Sequence, residues 1–329
     1  MRADDETAVD QWIAREPENV AALMRKADLR AEAGDDRRAV AFYRAALNLA
    51  ARGAATGVPA GELARAKAAC QRAERTFAEY LEESLADSGF GPGQRPPRFQ
   101  ESIDILLGRR AAESEIQQPR TYFYPGLPQR RYYERHEFSW AAELERQTDA
   151  IRDELLPLVN DDSRFRPYLS SDPSRPPRHG LVDQDDWSSL HLWDNGEPVA
   201  SNVKQCPRTA AAVEKLDLLR LLKRAPCVMF SKLKAGAHIE PHTGLLNIRL
   251  VCHLPLIVPE GCMFRVGGEN RQWREGELIV FDDSVVHEAV NKGESDRTVL
   301  IFEIWRPELD ADERAAVAAM FKAVDSYAV

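Results

Sequence analysis

Two histidines and a glutamate within five residues have the composition of a metal site. The stretch HIEPHTG contains His238, Glu240 and His242, and a further histidine, His287, follows later in the chain. Two imidazoles and one carboxylate can hold iron(II) and leave coordination positions open for other ligands. All three groups are present in one set, which consists of His238, Glu240 and His287. A second set, His242 and His287, lacks the carboxylate because Gly244 stands where the acid would be. Spacing alone favours the first set, although a single histidine is more often structural than a ligand.

The chain after about residue 185 has the pattern of β-strands that would position these side chains. Short runs of alternating apolar and polar residues are separated by Gly, Pro, Asn and Asp. In NIRLVCHLPLIV (247–258), Arg249, Val251 and His253 share one face, and the apolar RTVLIFEIW (297–305) follows later. We expect an α+β protein whose catalytic part is a double-stranded β-helix, a jelly-roll of the cupin kind. Such a barrel is open at one end and suits a small ligand.

The N-terminal residues have helical periodicity, with small side chains where two helices would meet. Ala27 is followed, after a turn, by Ala39, Tyr43 and Ala46. Small residues allow two helices to approach closely, and the Tyr43 ring would fill the gap between them. This spacing resembles one tetratricopeptide repeat, with the predicted helix at 61–86 as its cap. A generic helical hairpin fits the pattern nearly as well.

Glycine and proline punctuate the rest of the chain. The stretch GFGPGQRPPRFQ (89–100) should stop any helix. A second Pro-rich stretch at 170–180 is expected to be a loop, which either borders an active site or, as most surface loops do, only connects two elements. Between them, 139–159 is predicted to form one amphipathic helix. The expected organisation is a small tetratricopeptide-like helical domain (1–88), a linker (89–125) and a double-stranded β-helix domain (126–329).

Composition excludes several classes of protein. The 329 residues suffice for two domains, and the formal net charge of −9 argues against a nucleic-acid partner. The sequence shows no secretory signal and no apolar run near the roughly 20 residues that span a bilayer. The five cysteines have no CxxC spacing and are expected to be reduced. We therefore expect a cytoplasmic protein with no membrane anchor.

Four stretches, in a fixed order, carry a resemblance to a known family. They are DWSSLHLWDNG, the CPRT turn, FSKLKAGAHIEPHTGLLNIRLVCHLPLIVPEGC, and WREGELIVFDDSVVHEAVN followed by RTVLIFEIWRPEL. From about Tyr132 to Leu309 the sequence resembles the aspartyl/asparaginyl β-hydroxylases, which are iron(II)/2-oxoglutarate dioxygenases. The resemblance implies that His242 and His287 bind the iron, with water completing its coordination and glycine normal at position 244. It moves His238 and Glu240 to the mouth of the site or to positions that orient the ligands.

The same resemblance implies how 2-oxoglutarate is held. A buried carboxylate needs a fixed cation, and arginine can bind it with two parallel hydrogen bonds. The family's arginine corresponds to Arg297, Ser231 matches a serine that bonds the same carboxylate, and His253 matches a histidine near the keto acid's other end. Fe(II), 2-oxoglutarate and O2 would together hydroxylate an unactivated C–H bond and release succinate and carbon dioxide.

The substrate side departs from the family at one position. Animal members carry an arginine where this chain has Val251, so Arg249 is expected to bind a substrate carboxylate, with Trp187 bordering the substrate. The expected substrate is the β-carbon of an aspartyl, asparaginyl or related residue, free, in a peptide or in a protein recruited by the helical domain. Two alternatives remain open. One is a non-catalytic binding or scaffold protein, and the other is a hydroxylase of a lipid acyl chain.

Overall fold

The computed structural model describes residues 2–54, 57–111, 116–168 and 184–327. Contacts divide these residues into two compact units. One unit holds the described residues up to Gln94 and those from Lys322 onward, and the other holds the described residues from Arg95 to Phe321. The second Pro-rich stretch, 170–180, lies outside the described residues. None of the described helices is long and apolar enough to cross a bilayer.

Helices make up the first unit, as predicted. Ala27, Ala39 and Ala46 are fully buried between two of them, and Tyr43 fills the contact while its hydroxyl donates to Asp28 Oδ1 at 2.6 Å. The predicted helix at 61–86 is present and slightly longer. The helices are α1 (Arg2–Arg15), α2 (Val20–Glu32), α3 (Asp36–Leu49) and α4 (Ala60–Asp87), with a short π-helical turn (Ala50–Ala54) after α3.

The helices of the second unit lie before, between and after its strands along the chain. They are α5 (Pro97–Leu106), α6 (Ala141–Glu145), α7 (Thr148–Val159), α8 (Ala200–Gln205), α9 (Pro207–Val213) and α10 (Ala311–Ser326), of which the last residues are assigned to the first unit. Helix α5 begins inside the expected linker, because proline fits the first turn of a helix as well as it ends one. The helix predicted over 139–159 is interrupted, since the Thr148 hydroxyl donates to the Glu145 carbonyl at 2.7 Å and α7 starts anew there.

The described strands form two antiparallel sheets. The strands are β1 (Tyr132–Tyr133), β2 (Arg166–Pro167), β3 (Trp187–Asp194), β4 (Glu197–Pro198), β5 (Val228–Leu233), β6 (His238–His242), β7 (Arg249–Ile257), β8 (Cys262–Val266), β9 (Glu269–Arg271), β10 (Ile279–Phe281), β11 (His287–Asn291) and β12 (Arg297–Trp305). The larger sheet has the order β1-β10-β7-β12-β5-β3-β2, with β4 paired to β3, and the smaller sheet has the order β6-β11-β8-β9.

The inner faces of the two sheets share one apolar core, the arrangement of a double-stranded β-helix. Strand β7 separates its side chains as its sequence predicts. Leu250 and Cys252 pack in a cluster with α7 and α9, whereas Val251 packs with residues of the smaller sheet. The predicted fold class, a jelly-roll domain after a helical region, is confirmed. The inner face of β7 is where the candidate site lies.

Candidate active site

His242 and His287 lie opposite each other on neighbouring strands of the smaller sheet. They pair in the β6–β11 register, and their ring centres are 4.2 Å apart. Nδ1 of His242 bonds the Glu240 carbonyl at 2.7 Å, and Nδ1 of His287 bonds the Val285 carbonyl at 2.9 Å. A carbonyl only accepts, so each Nδ1 must carry the proton and donate it. Each Nε2 therefore keeps a lone pair that can bind a metal.

Burial keeps both imidazoles in the form that binds metals. Burial lowers the pKa of His242. Burial, followed by the proximity of His242, lowers the pKa of His287 to about 4. Because a metal competes with protons for the ring nitrogen, neutral imidazole is the required form. The pair presents two neutral nitrogen donors at physiological pH.

A β-bulge decides which residues of HIEPHTG face the interior. Ile239 pairs with Ala289 and His242 pairs with His287, so β6 has one more residue than β11 between the two pairs. In a regular strand His242 would share a face with Glu240, not with Ile239. The extra residue changes that alternation, as bulges do. Consequently Ile239 is buried in the core and His242 reaches His287, while Glu240 is exposed.

The set favoured by spacing alone, His238 with Glu240 and His287, is not brought together. The His238 side chain is 45% exposed, and its Nε2 lies 2.9 Å from Oε2 of Glu288 on the outer face. Glu288 also pairs with Arg265. Within the described ranges, no three His, Cys, Asp or Glu side chains are grouped closely enough to hold a metal. Of the candidate ligands, His242 and His287 are the two that the described structure brings together.

Asp283 occupies the space beside Gly244 where a ligand carboxylate would begin. A Cβ added at Gly244 would lie 1.8 Å from Asp283 Oδ2, and the Gly244 amide donates to the Asp283 carbonyl at 2.6 Å. The charge of Asp283 raises the pKa values of His242 and His287 against the effect of burial. Asp283 was not among the residues predicted from the sequence, although it stands four residues before His287 in FDDSVVHE. A carboxylate therefore lies beside the histidine pair without coming from the HxG element.

We expect Gly244→Ala to destabilise the protein by about 1–3 kcal/mol, the usual cost of overpacking. The added methyl must displace the Asp283 carboxylate, and the backbone at Gly244 is otherwise open to alanine because its φ is not in the left-handed region. Urea unfolding measures the effect. Gly268→Ala is the control, since a Cβ there meets nothing within 4 Å. Equal unfolding midpoints for the two variants would mean that Asp283 moves aside at no cost.

Arg297 is buried at the start of β12 without partners for two of its nitrogen atoms. Its exposure is 1%, and Nε and Nη1 make no hydrogen bond in the described structure. Its guanidinium carbon lies 4.5 Å from the centre of the Trp273 ring. Burial lowers the pKa of Arg297 to about 10. Buried polar groups are normally satisfied, so free donors on a buried cation indicate a binding place for an anion.

Ser231 lies on β5, the strand next to Arg297's own. It is fully buried, and its Oγ accepts a hydrogen bond of 3.0 Å from Trp187 Nε1. Trp187 in turn stacks on Tyr168, with ring centres 3.9 Å apart. Because the indole can only donate, the Ser231 hydroxyl proton stays available for a further acceptor. Trp187, which was expected to border the substrate, thus contacts Ser231, the serine that was predicted to bind 2-oxoglutarate.

His253 faces the same interior from β7. Its Nδ1 accepts from Trp273 Nε1 at 3.3 Å, so the proton of a neutral His253 is on Nε2. Burial, followed by the charges of Arg297 and His287, lowers the pKa of His253 well below its usual value. His253 therefore offers one N–H donor and no charge. Trp273, which was not among the predicted site residues, contacts both His253 and Arg297.

Arg249 also faces this interior, but its guanidinium is paired within the chain. It donates to Asp283 at 2.6 Å through Nη2 and to Glu303 through Nη1. Val251, at the position where the resemblance expects an arginine, lies opposite Glu303 in the register of β7 and β12. The expected contact of Arg249 with a substrate carboxylate stays a prediction.

Residues 145–307 match the family model described as aspartyl/asparaginyl beta-hydroxylase. Among curated relatives, the aspartyl/asparaginyl beta-hydroxylase of Mus musculus is 36% identical over 178 residues, which are 54% of this chain and 23% of that protein. The ornithine lipid ester-linked acyl 2-hydroxylase of Rhizobium tropici is 34% identical over 187 residues, 53% of this chain and 60% of that protein. The human aspartate beta-hydroxylase domain-containing protein 2 is 30% identical over 210 residues, which are 63% of this chain and 55% of that protein. The chain spans less than two thirds of each relative.

Some solved structures show a weak likeness to part of the chain. A predicted oxalate decarboxylase from Thermotoga maritima has a TM-score of 0.25 at 17% identity, covering 36% of this chain and 81% of that one. The cupin domain of an XRE family transcriptional regulator from Enterobacter cloacae has a TM-score of 0.25 at 11% identity, and the match covers 37% of this chain and 98% of that one.

Proposed function

Because this chain belongs, through residues 145–307, to the aspartyl/asparaginyl β-hydroxylase family, we propose that it is an iron(II)- and 2-oxoglutarate-dependent dioxygenase. The observation that supports this most is the buried Arg297 with two unpaired nitrogen atoms. It lies on the same inner surface as two neutral histidines. A dicarboxylate keto acid fits the arginine, and a divalent iron fits the imidazole pair.

Five of the predicted residues, together with Asp283, have a task in this proposal. His242 and His287 would hold the iron through Nε2, and Asp283 beside them would offset part of its charge. Arg297 and Ser231 would bind the distal carboxylate of 2-oxoglutarate, and the Nε2–H of His253 would donate to its other end. When bound, iron with 2-oxoglutarate and oxygen supplies the oxidising power for a C–H bond, and the chain supplies position and a dry pocket.

The proposed substrate follows the names of the relatives. An aspartyl, asparaginyl or related residue, free or in a peptide, is the first candidate, hydroxylated at its β-carbon. An acyl chain is the second, because Val251 gives the site an apolar side chain and the Rhizobium tropici relative is named for an acyl 2-hydroxylase. Glu240 and His238, exposed on the outer side of β6, would lie outside the iron's coordination.

The experiment that tests the proposed function measures succinate. We expect the purified chain to release succinate from 2-oxoglutarate only when iron(II) is present, and faster when a substrate-containing cell extract is added. The variant His242→Ala/His287→Ala is the control and should release none. Equal release by both proteins would contradict the proposal and favour a binding or scaffold protein. Mass spectrometry of the extract, searching for gains of one oxygen atom, then identifies the substrate.

A further inference from the structure

Arg249, the arginine expected to meet a substrate carboxylate, is already bonded to two acids of the chain itself. Its Nη2 donates to Asp283 at 2.6 Å, and its Nη1 donates to Glu303. The side chains of the two acids are 6% and 11% exposed. Because two negative charges outweigh the one positive charge, an entering carboxylate would meet net repulsion at Arg249. A substrate anion therefore needs a different cation.

Arg166 faces the same interior from β2, the strand at one edge of the larger sheet. It lies opposite Ser189 of β3, and residues paired across two strands point to the same side of a sheet. Phe165, the preceding residue, is buried on the other side, in the cluster with α7 and α9. Tyr168, two residues further along, stacks on Trp187 with ring centres 3.9 Å apart. These observations place the Arg166 side chain on the inner face.

The charge of Arg166 is not offset within the described structure. Its side chain is exposed at the sheet edge, and its guanidinium forms neither an ion pair nor a hydrogen bond with the described residues. The other arginines that the described strands of this sheet direct inward are Arg249, which is paired, and Arg297, which the proposed function gives to 2-oxoglutarate. Arg166 is therefore the inward-facing cation that is left for a substrate anion. One arginine offsets a single negative charge, which suits a carboxylate better than a phosphate dianion.

A buried hydroxyl lies beside this cation. Ser189 is 1% exposed, and its Oγ lies 3.4 Å from Nδ1 of His191. That distance is at the long end of the hydrogen-bond range, so the hydroxyl can donate to a better acceptor. Burial lowers the pKa of His191 against the charge of Asp194, and the charge of Arg166 lowers it further, so the imidazole is neutral. A guanidinium fork next to a hydroxyl donor suits one carboxylate.

The pair formed by Arg166 and Ser189 borders the proposed iron and co-substrate positions. Ser189 lies opposite Ser231 in the register of β3 and β5, and Ser231 is the serine predicted to bind 2-oxoglutarate. Trp187, two residues before Ser189, has its ring centre 6.0 Å from that of His242. An anion held by this pair would thus lie next to the site without occupying the place of 2-oxoglutarate.

We propose that Arg166 and Ser189 bind a carboxylate of the prime substrate, the role that was expected of Arg249 from the sequence. The guanidinium supplies the charge, and the serine hydroxyl donates its proton to the same carboxylate. The proposal rests on the proposed function for treating this interior as an active site. Its test measures binding to the iron-free protein without oxygen, so it succeeds or fails independently of succinate release.

Probes that differ in one functional group measure the recognition. N-acetyl-aspartic acid α-(N-methylamide) carries a side-chain carboxylate, its asparagine counterpart a neutral amide of nearly the same shape, and its phosphoserine counterpart a phosphate. Ligand-observed nuclear magnetic resonance gives their affinities for the full chain. We expect the aspartyl probe to bind about tenfold or more tightly than the asparaginyl probe, because charge-assisted hydrogen bonds are stronger than neutral ones. Any smaller preference, undetectable binding of the aspartyl probe, or tighter binding of the phosphoseryl probe contradicts the proposal.

A pair of arginine variants locates the binding. Arg166→Met removes the proposed cation. Arg164→Met is the matched control, because Arg164 is an exposed arginine two residues earlier that is bonded to Asp161 and Gln205. We expect Arg166→Met to weaken the aspartyl probe about tenfold and to leave the asparaginyl probe unchanged, whereas Arg164→Met should change neither. An equal loss in both variants, or no loss in Arg166→Met, would mean that the carboxylate binds elsewhere and that the proposal is wrong.

Ser189→Ala tests the second member of the pair. Loss of one hydroxyl donor should weaken the aspartyl probe about threefold and leave the asparaginyl probe unchanged. Circular dichroism verifies that each variant is folded. Unchanged affinity in a folded Ser189→Ala protein would exclude Ser189 from the site and overturn the proposal as stated. Should Ser189→Ala be unfolded, the comparison of Arg166→Met with Arg164→Met decides.

Discussion

Replacing either His242 or His287 by alanine is expected to lower iron affinity by more than about 100-fold, whereas Glu240→Ala should keep it. Each histidine is one of only two protein ligands in the proposed site, and even the outer partners of metal ligands typically change affinity 10–100-fold. Glu240 contributes its backbone carbonyl to His242 Nδ1, and its side chain is exposed. Alanine preserves that carbonyl. The measurement is metal content by mass spectrometry after anaerobic loading with iron(II) and desalting.

His238→Ala is the matched control for this prediction. It removes a histidine from the same strand, but one whose ring is bonded to Glu288 on the outer face. Its iron content should equal that of the parent protein. Loss of iron from Glu240→Ala as complete as from His242→Ala would restore the HxE set and contradict the two-histidine site.

Arg297→Met is expected to have opposite effects on binding and on stability. Affinity for 2-oxoglutarate should fall about 100-fold or more, because the buried carboxylate loses its cation. The ligand-free protein should become more stable by about 1–3 kcal/mol, since methionine replaces a buried charge whose Nε and Nη1 have no partner. The direction of this stability change agrees with the pKa of Arg297, which burial lowers to about 10. Arg297 is still charged at neutral pH, but its charged form is less stable in the folded protein than in the unfolded chain. Calorimetric titration and urea unfolding give the two quantities.

Arg306→Met provides the comparison with a buried arginine that is satisfied. Arg306 is fully buried and pairs with the fully buried Asp282 at 2.8 Å. Removing it leaves that buried carboxylate without a cation, although Gln117 and Ser284 still donate hydrogen bonds to it, so we expect a loss of about 3–5 kcal/mol. If Arg297→Met instead destabilises the protein as much as Arg306→Met and keeps its 2-oxoglutarate affinity, Arg297 is a structural residue. A gain in stability with a loss of binding is the pattern expected of a site that trades stability for function.

Much of the fold and part of the site were predictable from the sequence because they depend on local patterns. The alternation in β7 places Val251 and His253 on the inner face, and both are found there. The apolar run that begins at Arg297 became the fully buried strand β12, and the small residues around Tyr43 became a helix–helix contact. A period of two or of 3.6 residues reports which side of an element is buried without reference to the rest of the chain.

Tertiary structure alone decided the features that depend on pairing between distant residues. The bulge in β6 turns His242 inward and Glu240 outward, and it exists only in the register with β11. Asp283 fills the space beside Gly244 because the turn before β11 lies against the segment that follows β6. Alternation predicted that Arg249 faces inward, but not that two acids from elsewhere in the chain would hold its guanidinium. Sequence periodicity specifies a face, whereas the partner on that face is set by strand register and by side chains many residues away.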